Sequence, residues 1–323
     1  MRSCWRWRAR NVNAPMRIHL DTDLGGDPDD ACALTMLLGW PGVELAGITT
    51  VVDPGGRRAG CVAYCLDLAG RDDVPIAAGA EASLTAHRVT HPVGRYWPST
   101  IIPRSSPPGA ALDLLSRSIE EGATVVAIGP YTNLALLEVA RPGSLGRVPV
   151  VAMGGWTGPP APGLPAWGPD MDWNVQWDTR AAEILSATAQ LTLVTLPVTL
   201  KAHVRAADLP PLRATGRLGQ LLAQQSQARA KDAGMVDLGR AHAGLPDDLL
   251  NFHYDPVACA VAAGWSGAVI EEMRLIPVLH GDVLRFQPDR EGRPTRVVVD
   301  VDGAAFAELW LSAVEAAQRP RSI

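Results

Sequence analysis

Lysine is almost missing from this chain: Lys201 and Lys231 are the only two. Basic charge therefore rests on arginine, and 29 basic against 34 acidic residues leave a formal net charge of −5. That balance argues against a general nucleic-acid binder, whose affinity comes from neutralising phosphates. Aromatic residues make up only 5% of the chain, and the ten Trp outnumber Tyr and Phe together. No run approaches the ~18 apolar residues that a membrane-spanning helix needs. The cysteines (Cys4, Cys32, Cys61, Cys65 and Cys259) are odd in number and scattered. They do not form a secreted disulfide framework, and no Cys/His spacing reads as a zinc site. A reduced, cytoplasmic setting is the expectation.

What is present suffices for a core. The 323 residues are 47% hydrophobic and 20% charged, which suggests one large domain or two small ones. The first fifteen residues, MRSCWRWRARNVNAP, stand apart, with Arg2, Arg6, Arg8 and Arg10 as their only charges. No apolar stretch follows, so they make a poor signal peptide. They are expected to be a disordered or mis-annotated extension, with Met16 as the true start and residues 16–323 as a single catalytic domain.

From Arg17 onward short apolar runs alternate with stretches of helical period. RIHL (17–20), VELAGITT (43–50), PIAA (75–78), TVVAIG (124–129), VPVVAMG (148–154) and LTLVTL (191–196) predict strands. Helices are predicted at 30–38, 57–68, 110–121, 132–141 and 179–187. Unalternating apolar runs suit strands buried on both faces, with helices as crossovers. The fold class is therefore α/β, a doubly wound, mostly parallel sheet flanked by helices. The Pro/Gly-rich stretch 154–168 is too long for a plain connector. Later, helices near 218–230, from Asp255 and at 304–317, and a strand RVVVD (296–300), are expected. No composition break marks a separate domain.

The most informative segment is HLDTDLGGDPDD, residues 19–30. It places Asp21, Asp23, Asp27, Asp29 and Asp30 at the C-terminal end of the first strand. In an open α/β sheet that edge is where ligands bind. Carboxylates so close repel one another unless a cation lies among them, and oxygen donors without Cys or His point to Ca²⁺ or Mg²⁺. Gly25 and Gly26 would let the backbone turn tightly around it. Helix capping could occupy Asp29 or Asp30, but not all five acids. The spacing is not that of an EF-hand.

Here the chain resembles the inosine-uridine-preferring nucleoside hydrolases. Their D-x-D-x-G-x-D-D signature matches DTDLGGDPDDACAL with two extra residues, which puts its paired acids on Asp29 and Asp30. The likeness continues in order through AGITTV (46–51), DLAGRDDVPIAAGA (67–80), IGPYTNLALL (128–137), VVAMGG (150–155), MDWNVQWDTRAAEIL (171–185) and YDPVACA (254–260). The resemblance implies a nucleoside-hydrolase-like fold and hydrolysis of the N-glycosidic bond of a purine or pyrimidine ribonucleoside. It also implies a bound Ca²⁺ with Asp23, Asp30, Asp255 and the backbone carbonyl of Thr132 as ligands. Asp23 would activate a metal-bound water as general base, Asp29 and Asn174 would bind the sugar, and Asp172 would stand where the family has Glu. Met153 and Trp173 are expected to touch substrate, Trp173 by stacking on the base if it is not simply packed. Asp21 is expected to orient the loop from behind. A dimer or tetramer is the family expectation, with a role in nucleoside catabolism and salvage.

Two departures stand out. Relatives carry V-A-G-N after the second strand, with the Asn on ribose; this chain has Val51-Val52-Asp53-Pro54, leaving Asp53 as a stand-in. Purine-active relatives often have His-Asp where Tyr254-Asp255 stands, so Tyr254, or else His253 or a histidine in 82–108, is expected to serve the leaving group. Two other readings are weighed. Asp21-Thr22-Asp23 mimics a haloacid-dehalogenase-like phosphatase, but Gly25 stands where that motif needs Thr or Val. A nucleoside-binding protein without turnover would keep the metal site alone.

Overall fold

The computed structural model describes residues 15–85 and 96–319. The arginine-rich residues 1–14, and His87 and His91, lie outside the described residues. One nine-stranded sheet organises the chain, in the order β10-β9-β11-β6-β5-β4-β1-β2-β3. Its strands are β1 (Met16–Thr22), β2 (Val43–Thr50), β3 (Ile76–Ala78), β4 (Thr124–Ala127), β5 (Pro149–Met153) and β6 (Gln190–Val194), followed by β9 (Ala268–His280), β10 (Val283–Pro288) and β11 (Arg293–Val301). The first six, together with the β11–β6 pair, run parallel; β9 pairs antiparallel with both β10 and β11. A separate ladder joins β7 (His203–Arg205) to β8 (Leu249–Phe252). The expected α/β class and the six parallel strands are found.

Alternation along the strands divides the core into two layers. On β4, Val126 packs with helices Asp29–Gly39, Tyr254–Ala262 and Gly303–Ala317, while Val125 and Ala127 pack with Ala110–Glu120, Thr132–Ala140 and Thr179–Thr188. Both faces are covered, so the strands need no polar face. Some buried polar groups in the interior pair with one another. His19 bonds Ser118 Oγ (2.8 Å) and Thr49 Oγ1 (3.0 Å), and burial holds its pKa down at about 3.

The antiparallel extension β9–β10 was not expected. Ala268–His280 is largely half-exposed and interrupted by Glu271, Glu272 and Arg274, so it shows neither a continuous apolar run nor a clean alternation. Among the described residues no helix is long and apolar enough to cross a membrane. Cys32, Cys61, Cys65 and Cys259 are buried free thiols.

Candidate active site

The acidic turn leaves the end of β1, where Gly25 takes a φ of +127° that a side chain would strain. The chain then enters helix Asp29–Gly39 with both acids in its first turn. Neither caps the helix: Pro28 holds that position, without a side-chain bond. Asp255 arrives from the far end of the sequence in the first turn of Tyr254–Ala262. One oxygen from each of Asp29, Asp30 and Asp255 lies within 4.8 Å of the others, and all three residues are buried. Two helix N-termini thus turn their positive ends toward three carboxylates. That does not balance them. Burial first, then repulsion from the neighbouring acids, pushes all three pKa values well above the ordinary carboxylate range. Thr22 Oγ1 donates to Asp30 Oδ1 and relieves only part of this. A buried, charged, all-oxygen set of this kind fits a hard divalent cation.

The resemblance had placed Asp23 in the ligand set and Asp29 on the sugar; the geometry groups Asp29 with Asp30 and Asp255 and sets Asp23 on the adjoining wall. Asp23 Oδ2 accepts from Trp173 Nε1 at 3.2 Å and lies 3.9 Å from Arg58 Nη1. Burial raises the Asp23 pKa, and the Arg58 charge opposes that rise. The turn after β4 passes so close that a Cβ at Gly129 would sit 2.8 Å from the Asp23 nitrogen. The glycine in IGPYTN is a packing requirement of the acid site.

These groups share a cavity of about 550 Å³, lined also by Tyr96, Ile128, Met153, Trp167, Asp172, Asn174, Arg229 and Tyr254. Asp172, Met153, Asn174, Trp173 and Tyr254, all predicted site residues, are thus brought together along one cavity. Asp172 has two tasks: it accepts from Val175 N at 3.2 Å and from Gly155 N, capping the helix Trp173–Trp177. Burial lifts its pKa to about 6. Asn174 Nδ2 donates to the carbonyls of Ile128 (2.9 Å) and Met153 (3.1 Å), so its donors are committed to protein. Trp177 is packed behind Trp173, with ring centroids 4.8 Å apart.

Other predicted residues stand elsewhere. Thr132 does not line the cavity. It opens helix Thr132–Ala140, so its carbonyl points down the axis into the hydrogen-bond ladder. Its hydroxyl donates to Asp178 Oδ2 at 2.6 Å, and Tyr131 holds the cap position. Ile128, the residue after β4, lines the cavity instead. His253 is turned away under Phe306 and Trp310, at 5.3 and 4.5 Å between ring centroids, with a pKa pushed down to about 3 by burial. Asp53 does not reach the cavity. Its carboxylate accepts from Arg58 N (2.7 Å), Ala59 N (3.0 Å) and Thr50 Oγ1 (2.7 Å).

Sequence reasoning missed three cavity-related residues. Arg58 and Arg229 line it. Asn133, one residue past Thr132, staples the strand ends, donating to Asp21 Oδ1 (2.7 Å) and the Thr50 carbonyl (2.9 Å). Asp21 is thereby fixed behind the loop, accepting also from Thr49 Oγ1 at 2.5 Å. Asp27, within the two-residue extension of the motif, accepts from Arg229 Nε (2.8 Å) and Asn251 Nδ2 (2.5 Å). A lone Arg on a helix carries no signal without the turn that aims it.

The comparisons agree with this architecture. Residues 18–308 match the family model of the inosine-uridine preferring nucleoside hydrolases. The pyrimidine-specific ribonucleoside hydrolase RihA of Salmonella agona is 33% identical over 212 residues, which cover 62% of this chain and 66% of that protein. The match thus spans just under two thirds of that relative's length. Among solved structures, the plant nucleoside hydrolase PpNRh1 superposes with a TM-score of 0.76 at 23% identity, covering 93% of this chain and 99% of that one. A purine-preferring ribonucleoside hydrolase from Gardnerella vaginalis gives 0.75 at 22%, covering 94% and 99%. Those two likenesses speak for the fold. With the family match running from β1 to within the closing helix, this chain belongs to the inosine-uridine preferring nucleoside hydrolase family.

Proposed function

We propose that the protein hydrolyses the N-glycosidic bond of a purine or pyrimidine ribonucleoside, releasing ribose and the free base. The observation that carries this is the buried Asp29, Asp30 and Asp255 cluster at the inner end of a nucleoside-sized cavity. These three would hold a divalent cation, Ca²⁺ by the chemistry of the donors. A bound divalent ion would supply acidity to water and a template for vicinal hydroxyls.

The chain's own residues account for the rest. Water attacks C1′ and gives a proton to Asp23, whose raised pKa makes it a better base than an ordinary carboxylate. The C1′–N bond breaks, and positive charge grows on the sugar as an oxocarbenium-like species. The surrounding carboxylates favour that charge. Asp172 and the Asn174 carbonyl oxygen can accept from sugar hydroxyls. Trp173 and Trp167 offer faces to the base. Tyr254, the side chain next to Asp255 that does line the cavity, is the donor to the departing base. Its hydroxyl pKa is raised well above the usual value, first by burial and then by the nearby acids. It therefore acts as a neutral hydrogen-bond donor. The reading extends to a cytoplasmic, oligomeric enzyme of nucleoside salvage.

Incubation with a panel of ribonucleosides, with detection of free ribose, tests the reading. A parallel phosphate monoester tests the phosphatase alternative, in which Asp21 or Asp23 would be the nucleophile; Asp21 is buried with its pKa near 7 and bonded to Thr49 and Asn133. Saturable nucleoside binding with no ribose released would favour a binding protein instead.

A further inference from the structure

The turn that departs most from the family pattern, Val51 to Gly56, puts a different side chain into the cavity. Asp53 is consumed at the start of helix Arg57–Ala69 by its three hydrogen bonds. Arg58, in the first turn of that helix, is 2% exposed and reaches the cavity. Its Nε donates to the Val52 carbonyl at 2.8 Å. Val52 has a φ of +54°, the only positive value outside glycine among the described residues. A β-branched residue resists that conformation, and such strain persists where surrounding structure enforces it. Here it aims a carbonyl at the guanidinium and fixes its plane.

The other edge of the guanidinium is unsatisfied. Arg58 Nη1 is buried and finds no hydrogen-bond partner among the described residues. Buried donors of this strength are ordinarily paired, so an exception at a cavity wall calls for an acceptor from the ligand. The nearest charged acceptor, Asp23 Oδ2, is 3.9 Å away. That is too long for a direct hydrogen bond. It is the gap that one oxygen atom spans when it makes a bond of about 2.9 Å to each side.

We propose that Arg58 is a catalytic residue that holds the attacking water against Asp23. The proposal rests on the nucleoside-hydrolase reading of the site. Arg58 Nη1–H donates to one lone pair of the water, and the water donates one O–H to Asp23 Oδ2. The O–H electron pair freed as that proton leaves forms the bond to C1′ as the C1′–N bond breaks. The water proton passes to Asp23, and the C1′–N electron pair leaves with the base, which takes a proton from the pocket. Arg58 keeps its own protons throughout, since a guanidinium does not deprotonate near neutrality. Its contribution is orientation, and losing such orientation costs about 10²-fold in rate.

The test begins with the wild type on inosine and uridine, in water and in water–methanol mixtures. Arg58→Met removes the donor while keeping length. It should lower kcat about 100-fold with KM changed less than threefold. Bound metal per chain, read by elemental analysis, should stay as in the wild type. Because the nucleophile is no longer held, the ratio of methyl riboside to ribose should rise at least about tenfold in methanol, a readout that a purely structural role would not move. Arg58→Lys keeps the charge and guards against a folding failure; it should still lose at least about tenfold in kcat and shift the product ratio. An unchanged kcat, a raised KM at constant kcat, or activity lost only in step with metal would each overturn the role of Arg58. So would an Arg58→Lys protein with the wild-type rate and product ratio. No ribose from the wild type would overturn the underlying reading as well, which separates the two failures.

Discussion

The two ends of the cavity are built in different ways. The inner end is made of carboxylates on the first turns of two helices, which are buried, and of the half-buried Asp23 at the exit of β1. The outer end is made by Arg229, Tyr96, Trp167 and Tyr254, contributed by widely separated segments and joined by side-chain bridges such as Arg229–Asp27. The Arg229 side chain is 36% exposed, whereas Asp255 is 3% exposed. Groups that handle charge are held by rigid elements in a dry setting, where electrostatics act strongly. Groups that meet the variable part of a substrate sit where a single substitution can re-aim them. Chemistry should therefore fail at the inner end and selectivity should change at the outer end.

Removal of the metal should give the largest effect. Protein purified without added metal should carry about one calcium per chain, as the oxygen-only donor set implies. A chelator should abolish ribose release and lower the unfolding temperature, because the repulsion among Asp29, Asp30 and Asp255 returns. Full activity in metal-free protein would break the contrast at once. Asp23→Asn comes next: the amide keeps the shape but cannot take a proton. A loss of ~10²–10⁴-fold in kcat with little change in KM is expected from steady-state kinetics.

At the outer end the losses should be smaller and depend on the leaving group. Tyr254→Phe should slow natural nucleosides roughly tenfold to a hundredfold, and p-nitrophenyl riboside, whose leaving group needs no proton, far less. Equal losses on both substrates would move the donor elsewhere. Asp27→Asn loosens Arg229 and should change the ratio of kcat/KM between inosine and uridine by about tenfold or less, with kcat on p-nitrophenyl riboside nearly unchanged.

The smallest effect concerns stability away from the site. His253 is buried neutral, with a folded pKa near 3 against an ordinary 6.5. A depressed histidine contributes stability that is complete above about pH 6.5 and is lost as pH falls toward 3. Replacing it by Phe should flatten the acid side of the urea-denaturation profile between about pH 6 and 4, by up to about 1.4 kcal/mol per pH unit. Parallel profiles for the two proteins would show that His253 does not carry this linkage.

Much of the inner end was legible because its acids are contiguous. A run holding Asp21, Asp23, Asp27, Asp29 and Asp30 states its own repulsion, and the glycines beside it state the turn. Asp255 was legible only through the family pattern, since an acid before Pro256 reads equally well as a helix start. The outer end was hardly legible. Arg229 and Asp27 are far apart in the chain, and only the packing of helix Arg217–Ala233 brings them to 2.8 Å. Tyr254 and His253 are neighbours that the sequence could rank but not orient.

The sequence by itself determined the parallel α/β sheet, because continuous apolar strands alternating with helices leave few other ways to bury both faces. It also pointed to a cluster of acids that a cation could hold together, because their repulsion is a property of the residues themselves. Only the tertiary structure decided which acids come together, that Ile128 and not Thr132 lines the cavity, and that Arg58 reaches it where Asp53 does not. Those are questions of direction. A side chain's direction is fixed by the turn and the neighbours that hold it, and at Val52 that turn is one the residue would not adopt alone.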